Sequence, residues 1–204
     1  MTKKEWPKEV GNMIIGVLSL QGGYAKHAES MIALGADTRY VRSREELEQV
    51  DGLILPGGES TTIGKLLDRF EMLTPLKDKL ANGFPVYGTC AGMILLAKDI
   101  KGYSQFKLDA LDISVERNAY GRQIESFEAE IPSSFTDTPV RGVFIRAPRI
   151  TNIGKEVEVL ASFEDVPVLV REGNVLAGSF HPELTDDKRI HQYFLEMVKN
   201  RADV

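Results

Sequence analysis

The chain has 204 residues, 43% of them hydrophobic and 27% charged, with one cysteine, three histidines and a formal net charge of −5. This composition fits one globular domain. The single cysteine excludes an internal disulfide framework, and the acidic balance without a Lys/Arg cluster argues against nucleic-acid binding. No apolar stretch approaches the roughly 18 residues that span a bilayer, and the polar start resembles neither a signal peptide nor an anchor, so we expect a cytoplasmic protein.

The first half alternates strand-like and helix-like segments. Apolar runs predict strands at residues 13–20, 38–41, 52–55 and 84–87. Helical spacing predicts helices at residues 24–34, 60–70, 75–82 and 93–98. This alternation predicts a mostly parallel sheet with helices on both faces, a three-layer α/β/α arrangement.

The second half changes character. Short strand-like runs occur at residues 111–115, 123–129, 140–145, 157–162, 168–171 and 175–179. We expect some of them to pair antiparallel. Residues 186–200 have apolar side chains spaced for a helix with one buried face. The sequence shows no internal repeat and no linker, so a single domain is predicted.

Cys90 lies where a predicted strand meets a predicted helix. Residues 88–92 read G-T-C-A-G, with glycine two positions before and two after the cysteine. This is the pattern of a nucleophile elbow, in which glycines allow a tight turn because side chains there would collide. The helix start would point free backbone N–H groups at the sulfur, which favours a reactive thiolate. The alternative, a buried structural cysteine, does not require the flanking glycines.

His181 is the candidate base for this nucleophile. It follows the strand-like run 175–177, and Glu183 comes two residues later, where its carboxylate could orient the imidazole. His181 would protonate the leaving group and then activate water to hydrolyse a thioester. His27 and His191 lie in the first and last predicted helices among polar neighbours, and we interpret both as ordinary surface or half-buried histidines.

The loop after the third predicted strand reads P-G-G-E-S-T-T. Its Gly57 and Gly58 allow a backbone amide to turn inward at the sheet edge where α/β proteins bind ligands. The loop would supply one oxyanion donor and the N–H of Ala91 a second. A plain turn in which Ser60 or Thr61 caps the helix is a compatible alternative. Spacing alone defines cysteine-dependent acyl transfer and leaves the acyl group open.

Longer strings are more specific. They are L-S-L-Q-G at 18–22, L-P-G-G-E-S-T-T at 55–62, G-T-C-A-G-M at 88–93, F-I-R-A-P at 144–148 and S-F-H-P-E-L at 179–184. In this order they resemble the class I, triad-type glutamine amidotransferases, and among these the glutaminase subunits of pyridoxal 5′-phosphate synthase, the PdxT or SNO family. The resemblance implies a flavodoxin-like amidotransferase domain over residues 13–204. It leaves residues 1–12 as an extension that we expect to be disordered.

The same resemblance implies the reaction and its residues. L-glutamine would be hydrolysed to L-glutamate and ammonia, with Cys90 as nucleophile, His181 as base and Glu183 as its orienting group. The residues implied in glutamine binding are Gly58, Glu59, Ser60, Arg117, Ile145 and Arg146. Judged from composition and spacing alone, both of these arginines would be interpreted as solvated surface side chains.

The resemblance also implies a partner. Members of the family pass ammonia to a (β/α)8-barrel synthase subunit, in a large heteromeric complex, and are nearly inactive until docked. Gln21 and Gly22 should lie at the same sheet edge as Cys90. We hypothesise that docking reorders this loop and the Gly57–Gly58 peptide to complete the oxyanion hole. No metal or organic cofactor is implied, since pyridoxal phosphate would be the product of the complex.

Three alternatives remain open at this point. The chain could be the glutaminase subunit of another amidotransferase, such as imidazole glycerol phosphate or anthranilate synthase, although L-Q-G and F-I-R-A-P argue against this. It could be a redox-sensing or chaperone-like protein with an elbow cysteine, but that role does not need His181 and Glu183. It could be a non-catalytic binding subunit, but the intact Cys90, His181 and Glu183 argue against this.

Overall fold

The computed structural model describes residues 13–117 and 126–202. The predicted extension at residues 1–12 and the start of the predicted strand 123–129 lie outside the described residues. The elements of the first half are β1 Ile14–Leu18, α1 Tyr24–Ala33, β2 Asp37–Val41, α2 Arg44–Leu47, β3 Gly52–Leu55, α3 Ser60–Arg69, α4 Leu73–Ala81, β4 Val86–Thr89 and α5 Ala91–Leu96.

The second half is rich in strands and ends in a helix. Its elements are β5 Ala97–Ile100, β6 Leu111–Glu116, β7 Ser126–Ile131, β8 Val140–Ile145, β9 Arg149–Ile153, β10 Glu158–Phe163, β11 Val166–Glu172, β12 Val175–Gly178, a 3-10 turn Pro182–Leu184 and α6 Arg189–Ala202. The predicted antiparallel pairs are present, because β7 pairs with β8, β10 with β11, and β11 with β12.

The central sheet has seven strands in the order β10-β11-β12-β4-β3-β1-β2. The neighbours from β12 to β2 run parallel, whereas β11 pairs antiparallel with both β12 and β10. Two smaller sheets, β5-β6-β9 and β7-β8, lie outside it. The carboxyl ends of β1, β3, β4 and β12 therefore meet at one edge, where open α/β sheets bind their ligands.

Both faces of the central sheet are covered. Along β1, Ile14 and Leu18 belong to one core cluster, while Ile15 and Val17 belong to the other. The first cluster includes side chains of α3, α4 and α5, and the second includes side chains of α1 and α6. This two-sided burial explains why the strands are continuous apolar runs, and it confirms the predicted three-layer α/β/α fold.

Some elements escaped prediction. The helix predicted over 93–98 ends at Leu96, because Ala97 adopts an extended backbone and begins β5. Strand β9 was missed because most of its side chains are not buried and its sequence carries no apolar alternation. Helix α2 is a single turn capped by Ser43. No helix among residues 13–117 and 126–202 is long and apolar enough to cross a membrane.

Candidate active site

Cys90 occupies a strained turn between β4 and α5. Its backbone has φ 49° and ψ −100°, a conformation that a non-glycine residue rarely adopts. The turn is held by a hydrogen bond of 2.8 Å from the Cys90 N–H to the carbonyl of Gly178. A Cβ on Gly92 would lie 2.1 Å from the carbonyl oxygen of Leu55, and one on Gly88 would lie 2.6 Å from Gly92. The glycine spacing is therefore required by close backbone packing, as predicted.

His181 and Glu183 form a buried pair directly after β12. The Nδ1 atom of His181 lies 2.8 Å from Oε1 of Glu183, and their side chains are 12% and 2% exposed. Burial lowers the pKa of His181, but hydrogen bonding and charge interactions with Cys90 and Glu183 outweigh it and raise the pKa to about 10. Burial raises the pKa of Glu183, but His27 and His181 hold it well below its usual range. The arrangement suits an imidazolium at His181 that is paired with the Glu183 carboxylate.

The glycine loop lies against the residues that follow β1. The carbonyl oxygen of Gly57 accepts a hydrogen bond of 2.9 Å from the Gly23 N–H, and the side-chain oxygen of Gln21 accepts one of 2.9 Å from the Glu59 N–H. A Cβ on Gly57 would lie 2.3 Å from Cε1 of His181. The loop predicted to respond to a partner thus contacts the glycine peptide, which itself packs on the candidate base.

Glu59 caps helix α3, which corrects the prediction that Ser60 or Thr61 does so. Its carboxylate accepts hydrogen bonds from the backbone N–H groups of Thr61 and Thr62 and from both threonine hydroxyls. Partial burial raises the pKa of Glu59, but these hydrogen bonds outweigh it and lower the pKa to about 2. A carboxylate caps as well as a hydroxyl and also favours the positive end of the helix dipole.

Arg117 is held in place and is not a free surface side chain. Its Nη2 lies 3.0 Å from Oε1 of Glu59, and its guanidinium carbon lies 4.7 Å from the ring centroid of Tyr103. The side-chain oxygen of Gln105 accepts hydrogen bonds from Arg117 and from the Ser60 hydroxyl. The surface interpretation is therefore wrong for Arg117, whose side chain is 17% exposed.

These residues surround a cavity of about 440 Å³. It is lined by Gln21, Gly23, Gly57, Gly58, Glu59, Ser60, Cys90, Ile94, Arg117, Ile145, Arg146, His181, Glu183 and Leu184. Arg146 is exposed at this cavity and has a positive φ of 43°. Two predicted site residues do not line it: Ala91 is buried beside Cys90, and Gly22 packs on the carbonyl of Gly57. Within the described parts of the chain, no cluster of acidic, histidine or cysteine side chains could hold a metal ion.

The interpretation of His27 and His191 as surface or half-buried histidines is wrong. Both are fully buried, and Nδ1 of His27 lies 3.0 Å from Nε2 of His191. The available signal was helical spacing, since His27 comes one turn before Met31 on the buried face of α1, and His191 one turn before Leu195 in α6. Polar neighbours in sequence concealed it, because they lie on other sides of the helix.

Comparison with known proteins identifies the family. Residues 17–200 match the model of the SNO glutamine amidotransferase family. The chain belongs to this family. A pyridoxal 5′-phosphate synthase subunit PdxT of Thermotoga maritima is 59% identical over 189 residues, 92% of this chain and 100% of the relative. One of Desulforamulus reducens is 53% identical over 188 residues, with the same coverage of 92% and 100%.

A solved structure supports the fold of this SNO family member. The crystal structure of a glutamine amidotransferase shares 50% identity with it and superposes with a TM-score of 0.88, covering 91% of this chain and 98% of the other. The predicted class I amidotransferase fold is therefore confirmed.

Proposed function

We propose that this chain is the glutaminase subunit of a pyridoxal 5′-phosphate synthase and supplies ammonia for vitamin B6 biosynthesis. The observation that carries the proposal is the position of Cys90, on a strained elbow at a cavity, beside a His181 that is hydrogen-bonded to buried Glu183. The relatives that match nearly the whole chain carry the name of that synthase subunit. The alignments cover 92% of this chain and all of each relative, which favours the same reaction here.

The proposed reaction is a two-step acyl transfer. The Cys90 thiolate attacks the side-chain amide carbon of L-glutamine, and the carbonyl π electrons move onto oxygen. His181 then gives its proton to the amide nitrogen, the C–N bond breaks, and ammonia leaves a glutamyl thioester. His181 next takes a proton from water, the resulting hydroxide attacks the thioester, and L-glutamate and the thiolate are released. Glu183 stabilises the imidazolium without accepting its proton.

Backbone N–H groups are the proposed oxyanion donors. Ala91 follows the nucleophile, as in other elbows, and the Gly57–Gly58 peptide faces His181 across the cavity edge. One such donor is typically worth about 3 kcal/mol of barrier. Since the Gly57 carbonyl is hydrogen-bonded to Gly23, the orientation of this peptide depends on the loop that carries Gln21 and Gly22. A partner that moves this loop would therefore also change the orientation of the Gly57–Gly58 peptide in the oxyanion hole.

The cavity residues also offer binding partners for the amino-acid end of glutamine. We propose that Gly58, Ser60 and Ile145 present backbone and side-chain groups to it. Arg117 or Arg146 would receive the α-carboxylate, for which a guanidinium is well suited. Glu59 would contribute mainly by fixing Arg117, because its carboxylate is already occupied by the helix cap. The cavity volume of about 440 Å³ lies within the range of small-molecule sites.

The proposed partner is a (β/α)8-barrel synthase subunit, bound in a large heteromeric cytoplasmic complex. The amidotransferase domain would span residues 13–204, with residues 1–12 as an extension to it. Docking against the Gln21–Gly22 loop would reorder the Gly57–Gly58 peptide and activate the site. This coupling is supported by the contact between the loop and the peptide, where a Cβ on Gly22 would lie 2.0 Å from the Gly57 carbonyl oxygen.

Ammonia release identifies both the reaction and the partner. L-glutamine is supplied to the isolated chain, to the chain with a pyridoxal phosphate synthase subunit, and to the chain with an imidazole glycerol phosphate synthase subunit. We expect ammonia release to rise strongly when the pyridoxal phosphate synthase subunit is added, and not when the imidazole glycerol phosphate synthase subunit is added. Activation by the second subunit instead would assign the chain to another amidotransferase. No release in any mixture, with Cys90 readily oxidised, would favour the redox alternative.

A further inference from the structure

Glu183 has a second imidazole neighbour besides His181. Its Oε1 atom lies 2.8 Å from Nδ1 of His181 and 3.4 Å from Nε2 of His27. The side chain of His27 is fully buried and that of Glu183 is 2% exposed. A carboxylate removed from water needs donors in place of its hydration shell, and His181 supplies only one. His27 is placed to supply another.

His27 also reaches the nucleophile elbow. Its Nε2 atom lies 3.0 Å from the hydroxyl oxygen of Thr89, the residue directly before Cys90. One imidazole on α1 therefore contacts both the carboxylate that orients the base and the last residue of the strand that carries the nucleophile. It does so from outside the cavity, because His27 does not line it.

His191 constrains which nitrogen of His27 carries a hydrogen. Burial, reinforced by His27, lowers the pKa of His191 to about 3, so His191 is neutral. If His191 donates from Nε2, the Nδ1 of His27 is a lone pair and its Nε2 carries the hydrogen. Among the described residues, Nδ1 of His191 is buried without a hydrogen-bond partner, so a hydrogen there would be unpaired, and donation from Nε2 is favoured. This arrangement places an N–H of His27 on the side of Glu183.

We propose that His27 is a positioning residue for glutamine hydrolysis, donating from Nε2 to Glu183 and to Thr89. The inference rests on the proposed glutaminase function. With Glu183 held in this way, its Oε1 accepts from Nδ1 of His181, and the other nitrogen of His181 is left for Cys90. His191 holds the far side of the His27 ring. Because His27 acts from outside the cavity, its loss should lower kcat and leave the KM for glutamine nearly unchanged.

Two amide variants separate positioning from packing. His27→Gln places an amide nitrogen near the position of Nε2, whereas His27→Asn places one near Nδ1, on the side of His191. The two are uncharged and close in size. Three measurements are made on each: melting temperature, the rate of Cys90 alkylation by iodoacetamide across pH in the isolated chain, and kcat and KM for glutamine with the synthase subunit.

We expect His27→Asn to lose kcat about tenfold, the weight of a hydrogen bond to a charged group, at nearly unchanged KM. His27→Gln should stay within about threefold of the wild-type chain, because its N–H still reaches Glu183. Cys90 alkylation near neutral pH should slow in the Asn variant and recover in the Gln variant. Alkylation needs no glutamine turnover, so it tests the positioning role even if the proposed function fails.

Other outcomes would overturn the inference. Equal losses in both variants that follow the melting temperature would make His27 a packing residue only. Wild-type kcat and alkylation in His27→Asn would show that Glu183 needs no second donor. If His27→Asn does not fold, His27→Gln alone decides, because a tenfold loss of kcat in that folded variant contradicts donation from the Nε2 position.

Discussion

Gly57 and His181 are packed so closely that a Cβ on Gly57 would lie 2.3 Å from Cε1 of the imidazole. The contact joins the glycine loop after β3 to the candidate base after β12, two segments far apart in sequence. Because the opposing atoms belong to a side chain, a methyl group there would displace the imidazole and leave the backbone in place. The geometry of the site is thus sensitive to a change that the fold can tolerate.

The first prediction uses this contact. Gly57→Ala should lower kcat/KM for glutamine at least about a hundredfold, the typical effect of misplacing a catalytic group by an ångström. Melting temperature should change little. Gly23→Ala is the matched control, because its Cβ would meet only Glu183 Oε1, at 3.9 Å, in ordinary contact. Unimpaired hydrolysis by folded Gly57→Ala would show that His181 is not the base.

Glu59 should contribute to stability and to substrate binding together. Glu59→Ala removes the cap of α3 and should lower the free energy of unfolding by about 1 kcal/mol, measured in urea. It also leaves Arg117 without its carboxylate partner, so the KM for glutamine should rise. Glu196→Ala removes an exposed pair with Lys199 and should change neither quantity measurably. A wild-type KM in Glu59→Ala would show that Glu59 caps α3 without contributing to glutamine binding.

Because His191 is buried and neutral, the free energy of unfolding should fall as the pH is lowered into the mildly acidic range. Its folded pKa of about 3 lies below the ordinary value of 6.5, so the unfolded chain binds a proton there that the folded chain does not. Stability contributed in this way is present above pH 6.5 and should be lost as pH falls, by about 1.4 kcal/mol per pH unit. Glu183 and Glu59, with lowered pKa values, add losses only below their ordinary value of 4.5.

Urea unfolding between pH 6.5 and 4.5 therefore isolates the histidine contribution. Replacing His191 by Gln should flatten the dependence in this window. His181→Gln is the control. The pKa of His181 is raised to about 10, so the stability that it contributes is complete below pH 6.5 and is lost only as the pH rises toward 10. Its replacement should therefore leave the slope between pH 6.5 and 4.5 unchanged. An unchanged acid slope in His191→Gln would mean that a group other than His191 takes up the proton.

The local patterns predicted the fold well because they encode local physics. Strands covered on both faces appear as apolar runs, and the elbow appears as glycines around Cys90, because backbone atoms approach there too closely for side chains. The pairing of His181 with Glu183 was also predictable, since the two residues are close in sequence. The bounds of the elements were less predictable, as the early end of α5 at Leu96 shows.

The contacts that sequence could not reveal are those between distant segments. His27 and His191 are separated by 164 positions and meet only because α1 and α6 cover the same face of the sheet. Arg117 finds Glu59 across 58 positions, and without the fold it could not be distinguished from a surface arginine. The choice of Glu59 over Ser60 as the cap depended on which side chain folds back on α3, which propensity does not decide.

The central claim is that Cys90 carries out glutamine hydrolysis. The most direct measurement is ammonia release from L-glutamine by the wild-type chain and by Cys90→Ala, each bound to the pyridoxal phosphate synthase subunit at equal occupancy. The account predicts release by the wild-type complex and none above background by the variant complex. Release at the wild-type rate from Cys90→Ala would contradict it, because no thioester could then lie on the reaction path.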